Sequence, residues 1–206
     1  SSDQHPWFLE SRRSKESDYR DWYIWRDPKG KKQPPNNWQS IFGGKAWEYD
    51  EVTGQYYYHM FVKEQPDLNW RNDDVRQEMM SVFTFWAERG VDGFRLDVFN
   101  EYFKDAQFRD NPTKPGRRPF DAQHHLYDTN QPEMMGVVNE IRATLDRYPE
   151  RYAVGETFMS NMKTAAEYSG EGKLHAAFDF SFLHNKWSPG AFLQTILKWE
   201  SVMPED

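Results

Sequence analysis

The chain has 206 residues, with 33 acidic against 26 basic side chains and a formal net charge of -7. That length allows one sizeable core and is short for two full domains, and the negative balance excludes electrostatic steering of nucleic acid. The absence of cysteine excludes a disulfide framework or a thiolate metal site and fits a reducing, cytoplasmic setting, while no apolar run reaches the ~18 residues of a membrane span. Aromatic residues make up 17% of the chain, with nine Trp and eleven Tyr, beside a mean hydropathy of -0.99. Polar surface combined with flat side chains suits a sugar, whose ring has one apolar C–H face and a rim of hydroxyls; most of these aromatics are nevertheless expected to fill core.

Residues 1 to about 50 read as an irregular Trp- and Pro-rich layer with one short helix, punctuated by turns at Asp27-Pro28-Lys29-Gly30 and Pro34-Pro35-Asn36-Asn37. The run GQYYYHMF from Gly54 to Phe61 predicts a strand. Asn72 can cap a helix with Val75, Met79, Val82, Phe83 and Trp86 on its apolar face, stopped at Gly90. VDGFRLDVF at 91–99 then predicts a buried strand, and about thirty polar residues after it form a loop that is a candidate functional wall. A helix opening at Asn130, with Pro132 in its first turn, presents Met134, Val138, Ile141, Leu145 and Tyr148 before Pro149 ends it. RYAVGET follows as a strand, then a helix over 162–168, a strand within 174–180 and a helix over 189–201. Such βα alternation implies a parallel sheet, open or closed into a barrel, with the chemistry at the C-terminal ends of its strands.

Those ends carry the informative residues. Side-chain alternation places Gly93, Arg95 and Asp97 on one face of their strand. Two charges inside an apolar strand must pair with each other or face water; a structural ion pair accounts for them as well as a catalytic one does. Glu156 ends the next strand, directly after Gly155. Carboxylates on adjacent parallel strands, about 4.8 Å apart, match the ~5 to 5.5 Å separation of retaining glycosidases, which leaves no room for the water an inverting enzyme needs.

GVDGFRLDV (90–98) and VGET (154–157) resemble the nucleophile and acid/base segments of the α-amylase superfamily, glycoside hydrolase family 13. HPWF, YRDWYIWRD, NNWQSIFGGKAWEYD, GQYYYHMF, QPDLNW, FRDNP and YDTNQPE extend the resemblance, in order, to its oligo-1,6-glucosidase and α-glucosidase branch. The resemblance implies an α/β chain comprising strands four to six of a (β/α)8 TIM barrel over 71–206, preceded by an inserted small domain over 1–70 that contains a short antiparallel sheet. It implies a retaining α-glucosidase acting on α-1,6 or α-1,4 bonds at the non-reducing ends of short oligosaccharides. Asp97 is then the nucleophile, Glu156 the acid and base, and Arg95 the residue that orients Asp97. Phe42 and Phe61 match walls of the non-reducing glucose subsite, with core packing the competing account. Gln65, Asp67 and Asn69 match a hydrogen-bonded scaffold, and Val98 a position associated with α-1,6 linkages.

The resemblance also implies groups outside the chain: a glucose-binding His before Ser1, a third carboxylate after Asp206, and, in some relatives, upstream calcium ligands. No cofactor or metal is therefore assigned, and the missing barrel segments are expected to be needed for a complete site. The isolated chain, with open sheet edges, is expected to be inactive and poorly stable. Two alternatives accompany the hydrolase: a transglycosylating or isomerising relative such as a trehalose synthase or sucrose isomerase, and a non-catalytic interaction protein, against which the intact Arg95, Asp97 and Glu156 argue.

Overall fold

The computed structural model describes residues 1–158 and 160–203. It divides into two compact units, one built from Ser1–Gln77 and Tyr102–Gln131, the other from Glu78–Glu101 and the residues from Pro132 onward. A boundary at residue 70 therefore does not coincide with these units, because 102–131 groups with the N-terminal segment.

In the first unit, Pro6 opens helix α1 (Pro6–Arg13), whose preceding His5 accepts a hydrogen bond from the Trp7 amide. This irregular layer carries a short antiparallel sheet, as expected of it. Strands β1 (Trp25–Arg26), β2 (Trp47–Asp50) and β3 (Gln55–Tyr58) pair antiparallel in the order β1-β3-β2, with Trp47 opposite Tyr58 and Asp50 opposite Gln55. The β2–β3 turn is specified locally: Asp50 Oδ2 accepts from both the Thr53 amide at 2.9 Å and its hydroxyl at 2.7 Å. Gly54 takes φ +69°, which favours glycine. Phe8, Tyr23, Trp25 and Tyr57 form an aromatic core, and fully buried Trp38 meets Tyr58 edge-on at 5.5 Å. Segment 102–131 is anchored here. Arg109 O accepts from Trp38 Nε1 at 2.9 Å, Asn111 O accepts from Asn37 Nδ2 at 2.8 Å, and His125, held to Asp128 at 2.9 Å, is buried.

The helix–strand order read from periodicity is present: α2 (Asp73–Glu88), β4 (Gly93–Leu96), α3 (Met134–Leu145), β5 (Tyr152–Glu156), α4 (Met162–Glu167), β6 (Ala176–Phe178) and α5 (Pro189–Glu200). Asn72 Oδ1 accepts from the amides of Asp74 and Val75, capping α2, and Gly90 ends the segment at φ +87°. The buried face of α2 is Val75, Phe83 and Ala87; Val82 and Trp86, expected inside, are exposed. In α3 the buried residues are Met134, Val137, Val138, Ile141, Thr144 and Leu145, and the helix starts four residues after Asn130, which sits at φ +50°.

Within the second unit β4, β5 and β6 form a parallel sheet in chain order. Strand β4 is shorter and wetter than expected. Leu96 is buried but Arg95 is exposed, because among the described residues β4 pairs only with β5 and one of its faces is open.

Candidate active site

The β4–β5 register pairs Arg95 with Val154 and Leu96 with Gly155. One further step sets Asp97, the first residue past β4, beside Glu156, the last residue of β5. Gly155 makes room for the turn that follows Asp97. A Cβ there would come within 2.3 Å of Phe99 Cε1 and 2.6 Å of Leu174 Cδ1, so the ring of Phe99 occupies the space any side chain would need. Immediately after Asp97 the backbone turns through Val98 at φ +40°, a conformation costly for a β-branched residue, into a 3-10 turn over Phe99–Glu101.

Arg95 stands between the carboxylates, pairing through Nη1 with Asp97 Oδ1 and through Nη2 with Glu156 Oε2. Their environments differ: the Asp97 side chain is 71% exposed and that of Glu156 only 14%. Glu156 also lines a cavity of about 730 Å³ that contains Phe158, Asn161, Asp179, His184 and Lys198. A half-exposed guanidinium bridging two carboxylates offsets their mutual repulsion across adjacent strands.

The structure thus brings Arg95, Asp97 and Glu156 together, with Val98 directly behind Asp97. Phe42 and Phe61 lie in the first unit, where their rings pack at 5.8 Å and Phe42 is 68% exposed. Asp67 accepts from the Met60 amide and pairs with Lys104 at 3.6 Å, while Asn69 Nδ2 donates to Asp21 O, so both tie loops together. Gln65 contributes a backbone bond from its amide to Val62 O. Among the described residues no three His, Asp or Glu side chains are grouped to hold a metal ion.

Sequence reasoning passed over Asn100. It is fully buried, and its side chain engages the loop after Glu156: Nδ2 donates to Phe158 O at 2.7 Å and Oδ1 accepts from the Phe158 amide at 2.9 Å. The available signal was an amide within the apolar run DVFNEYF, three residues after a strand-end carboxylate.

The model of the α-amylase catalytic domain matches residues 1–204. The chain belongs to the α-amylase family. It is 43% identical over 218 residues to a probable α-glucosidase of Rhizobium meliloti, covering 99% of this chain and 40% of that protein. Against an oligo-1,6-glucosidase of Heyndrickxia coagulans it is 42% identical over 193 residues, 92% of this chain and 34% of the relative. The crystal structure of an α-glucosyl transfer enzyme superposes with a TM-score of 0.95 at 41% identity, over 100% of this chain and 40% of the other. The chain thus spans about two fifths or less of the length of these relatives. Its consecutive parallel βα units are a portion of the α-amylase family's TIM barrel, with Asp97 and Glu156 at the C-terminal ends of strands, the end that carries chemistry in such barrels.

Proposed function

We propose that the protein containing this chain is a retaining α-glucosidase that releases glucose from the non-reducing ends of short α-1,6- or α-1,4-linked oligosaccharides. The observation that carries the reading is the placement of Asp97 and Glu156 one register step beyond the last β4–β5 ladder pair, with Arg95 joined to both. Neighbouring parallel strands are about 4.8 Å apart, which supports direct attack by a carboxylate over attack by an interposed water. Asp97, the more exposed, attacks the anomeric carbon as Glu156 protonates the departing glycosidic oxygen. A water that loses its proton to Glu156 then displaces Asp97 and restores the α configuration. Arg95 holds Asp97 oriented through the first step. Phe42 and Phe61 supply an aromatic wall for the sugar, and Val98 bears on linkage choice. The substrate class is that of the named relatives. Residues 1–70 serve as the inserted small domain, and the lack of cysteine fits a cytoplasmic setting.

A second reading, glucosyl transfer to a sugar acceptor, draws on the similarity to an α-glucosyl transfer enzyme and on the cavity opening at Glu156, which is large enough to hold an acceptor ring. Incubation of the whole protein with isomaltose, maltose, sucrose and trehalose, followed by chromatography and by NMR of the first anomer formed, separates the readings. α-Glucose as first product supports the hydrolase; longer or isomeric sugars support transfer; β-glucose rules out retention, and no turnover of any of the four rules out both.

A further inference from the structure

Asp97 and Glu156 belong to different strands and lie one step beyond the last β4–β5 pair, although Glu156 is still paired with Phe178 of β6. Two contacts continue the fixation beyond the sheet. Phe99, two residues after Asp97, packs its ring into the space left by Gly155, one residue before Glu156. Asn100, three residues after Asp97, closes a two-point amide clasp on the backbone of Phe158, two residues after Glu156, and its Nδ2 also lies 3.3 Å from Ser160 Oγ. Both side chains are fully buried. The clasp uses one donor and one acceptor of the same amide, so only Asn at this reach satisfies both the N–H and the C=O of Phe158. The Glu156 segment is therefore held from both sides by the turn that carries Asp97.

We propose that Asn100, with Phe99 seated against Gly155, is a positioning device that sets the separation and aim of Glu156 relative to Asp97. The inference rests on the reading of these carboxylates as nucleophile and acid. Proton delivery depends on Glu156 reaching the leaving oxygen while Asp97 attacks, and a displacement near 1 Å costs on the order of 10²-fold in rate. The consequence is selective: a misaimed acid penalises leaving groups that need protonation and spares those that do not.

The test uses the whole protein and two independent variants, Asn100→Ala, which opens the clasp, and Gly155→Ala, which drives Phe99 out of its seat. Each is assayed with an activated aryl α-glucoside and with isomaltose, next to Asp97→Asn. Both variants are expected to lose kcat on isomaltose by on the order of 10²-fold, but by only about threefold on the aryl glucoside, with KM changed little. Equal losses on the two substrates, or a fall only in the fraction of enzyme that titrates with a covalent glucosyl inhibitor, would overturn the positioning role and leave a purely structural one. If Asn100→Ala does not fold, Asn100→Asp keeps the acceptor for the Phe158 amide and is read in the same way. Near-normal turnover by Asp97→Asn would instead overturn the underlying reading of the site, separately from any result at Asn100.

Discussion

At the scale of single residues, the different surroundings of two otherwise similar carboxylates underlie the roles proposed for them. The Asp97 side chain is largely exposed beside Arg95, whereas Glu156 is mostly enclosed and borders the cavity lined by Phe158 and His184. Glu156→Gln is accordingly expected to slow isomaltose hydrolysis by about 10² to 10⁴ while an aryl glucoside with a good leaving group still forms its glucosyl-enzyme in a pre-steady-state burst. A parallel loss of the burst would contradict the acid role. Val98 is buried at φ +40°, so its side chain and its backbone can both matter. Val98→Thr preserves shape and β-branching, and is expected to lower the ratio of isomaltose to maltose kcat/KM by about tenfold, within the range one small group achieves in an apolar pocket. An unchanged ratio would confine Val98 to shaping the turn. The carboxylates and Arg95 were legible in the sequence because strand alternation and strand ends follow from backbone geometry alone. Asn100 was not, because its role depends on a loop 58 residues away.

Elements differed in how readily they could be read. Asn72, Asn161 and Ser188 each accept from a backbone amide at the start of a helix, but only Asn72 was legible as a cap, whereas α4 and α5 showed through their helical spacing. Which face of α2 is buried was not announced. Met79, Met80, Val82, Phe83, Phe85, Trp86 and Ala87 encircle the second half of the helix, and a period cannot choose a face where most positions are apolar. The two-residue β1 carries too little alternation to declare itself, and β2, with the turn through Asp50 and Gly54 that follows it, lay at the edge of the segment read as irregular. Between β5 and β6 a side chain reinforces the sheet: the Ala153 amide donates to His175 Nδ1 at 3.1 Å, and the His175 amide donates to Ala153 O at 3.1 Å. Burial, with a smaller contribution from the nearby Arg142 charge, lowers the His175 pKa below the ordinary histidine value. The unfolded chain therefore takes up this proton first as pH falls, so the stability supplied by neutral His175 is complete above about pH 6.5 and is lost as pH drops through its lowered folded value. His175→Asn keeps an acceptor without a titration. Its Tm is expected to fall less than that of the parent between pH 7 and 5, as followed by circular dichroism; identical slopes would remove His175 from the pH response.

For the molecule as a whole, the interleaving of the two units makes a specific demand on folding. The N-terminal segment looks like a separable module in sequence, with its own turns, aromatics and hairpin, yet its interior is completed by residues 102–131, which return after a helix and a strand of the other unit. Trp38 Nε1 donates to Arg109 O, Asn36 Nδ2 to Phe108 O, and Asn37 exchanges two bonds with the backbone of Asn111. The Phe108 ring lies 5.7 Å from that of Trp38 and carries Arg26 on its face at 3.9 Å. Without the returning segment each buried donor left unpaired costs about 1–3 kcal/mol, and a few such losses rival the ~5–15 kcal/mol that stabilises an ordinary domain. Hydrophobic pattern alone could not reveal this, because the partners of Asn36, Asn37 and Trp38 are backbone groups more than seventy residues distant. A polypeptide of residues 1–77 is therefore expected to lack near-ultraviolet circular dichroism and to unfold without a cooperative transition. Joining residues 102–131 to it through a flexible linker should restore both, and a sharp thermal transition in 1–77 alone would show that the hairpin and aromatic cluster of the first unit suffice without the segment that returns to them.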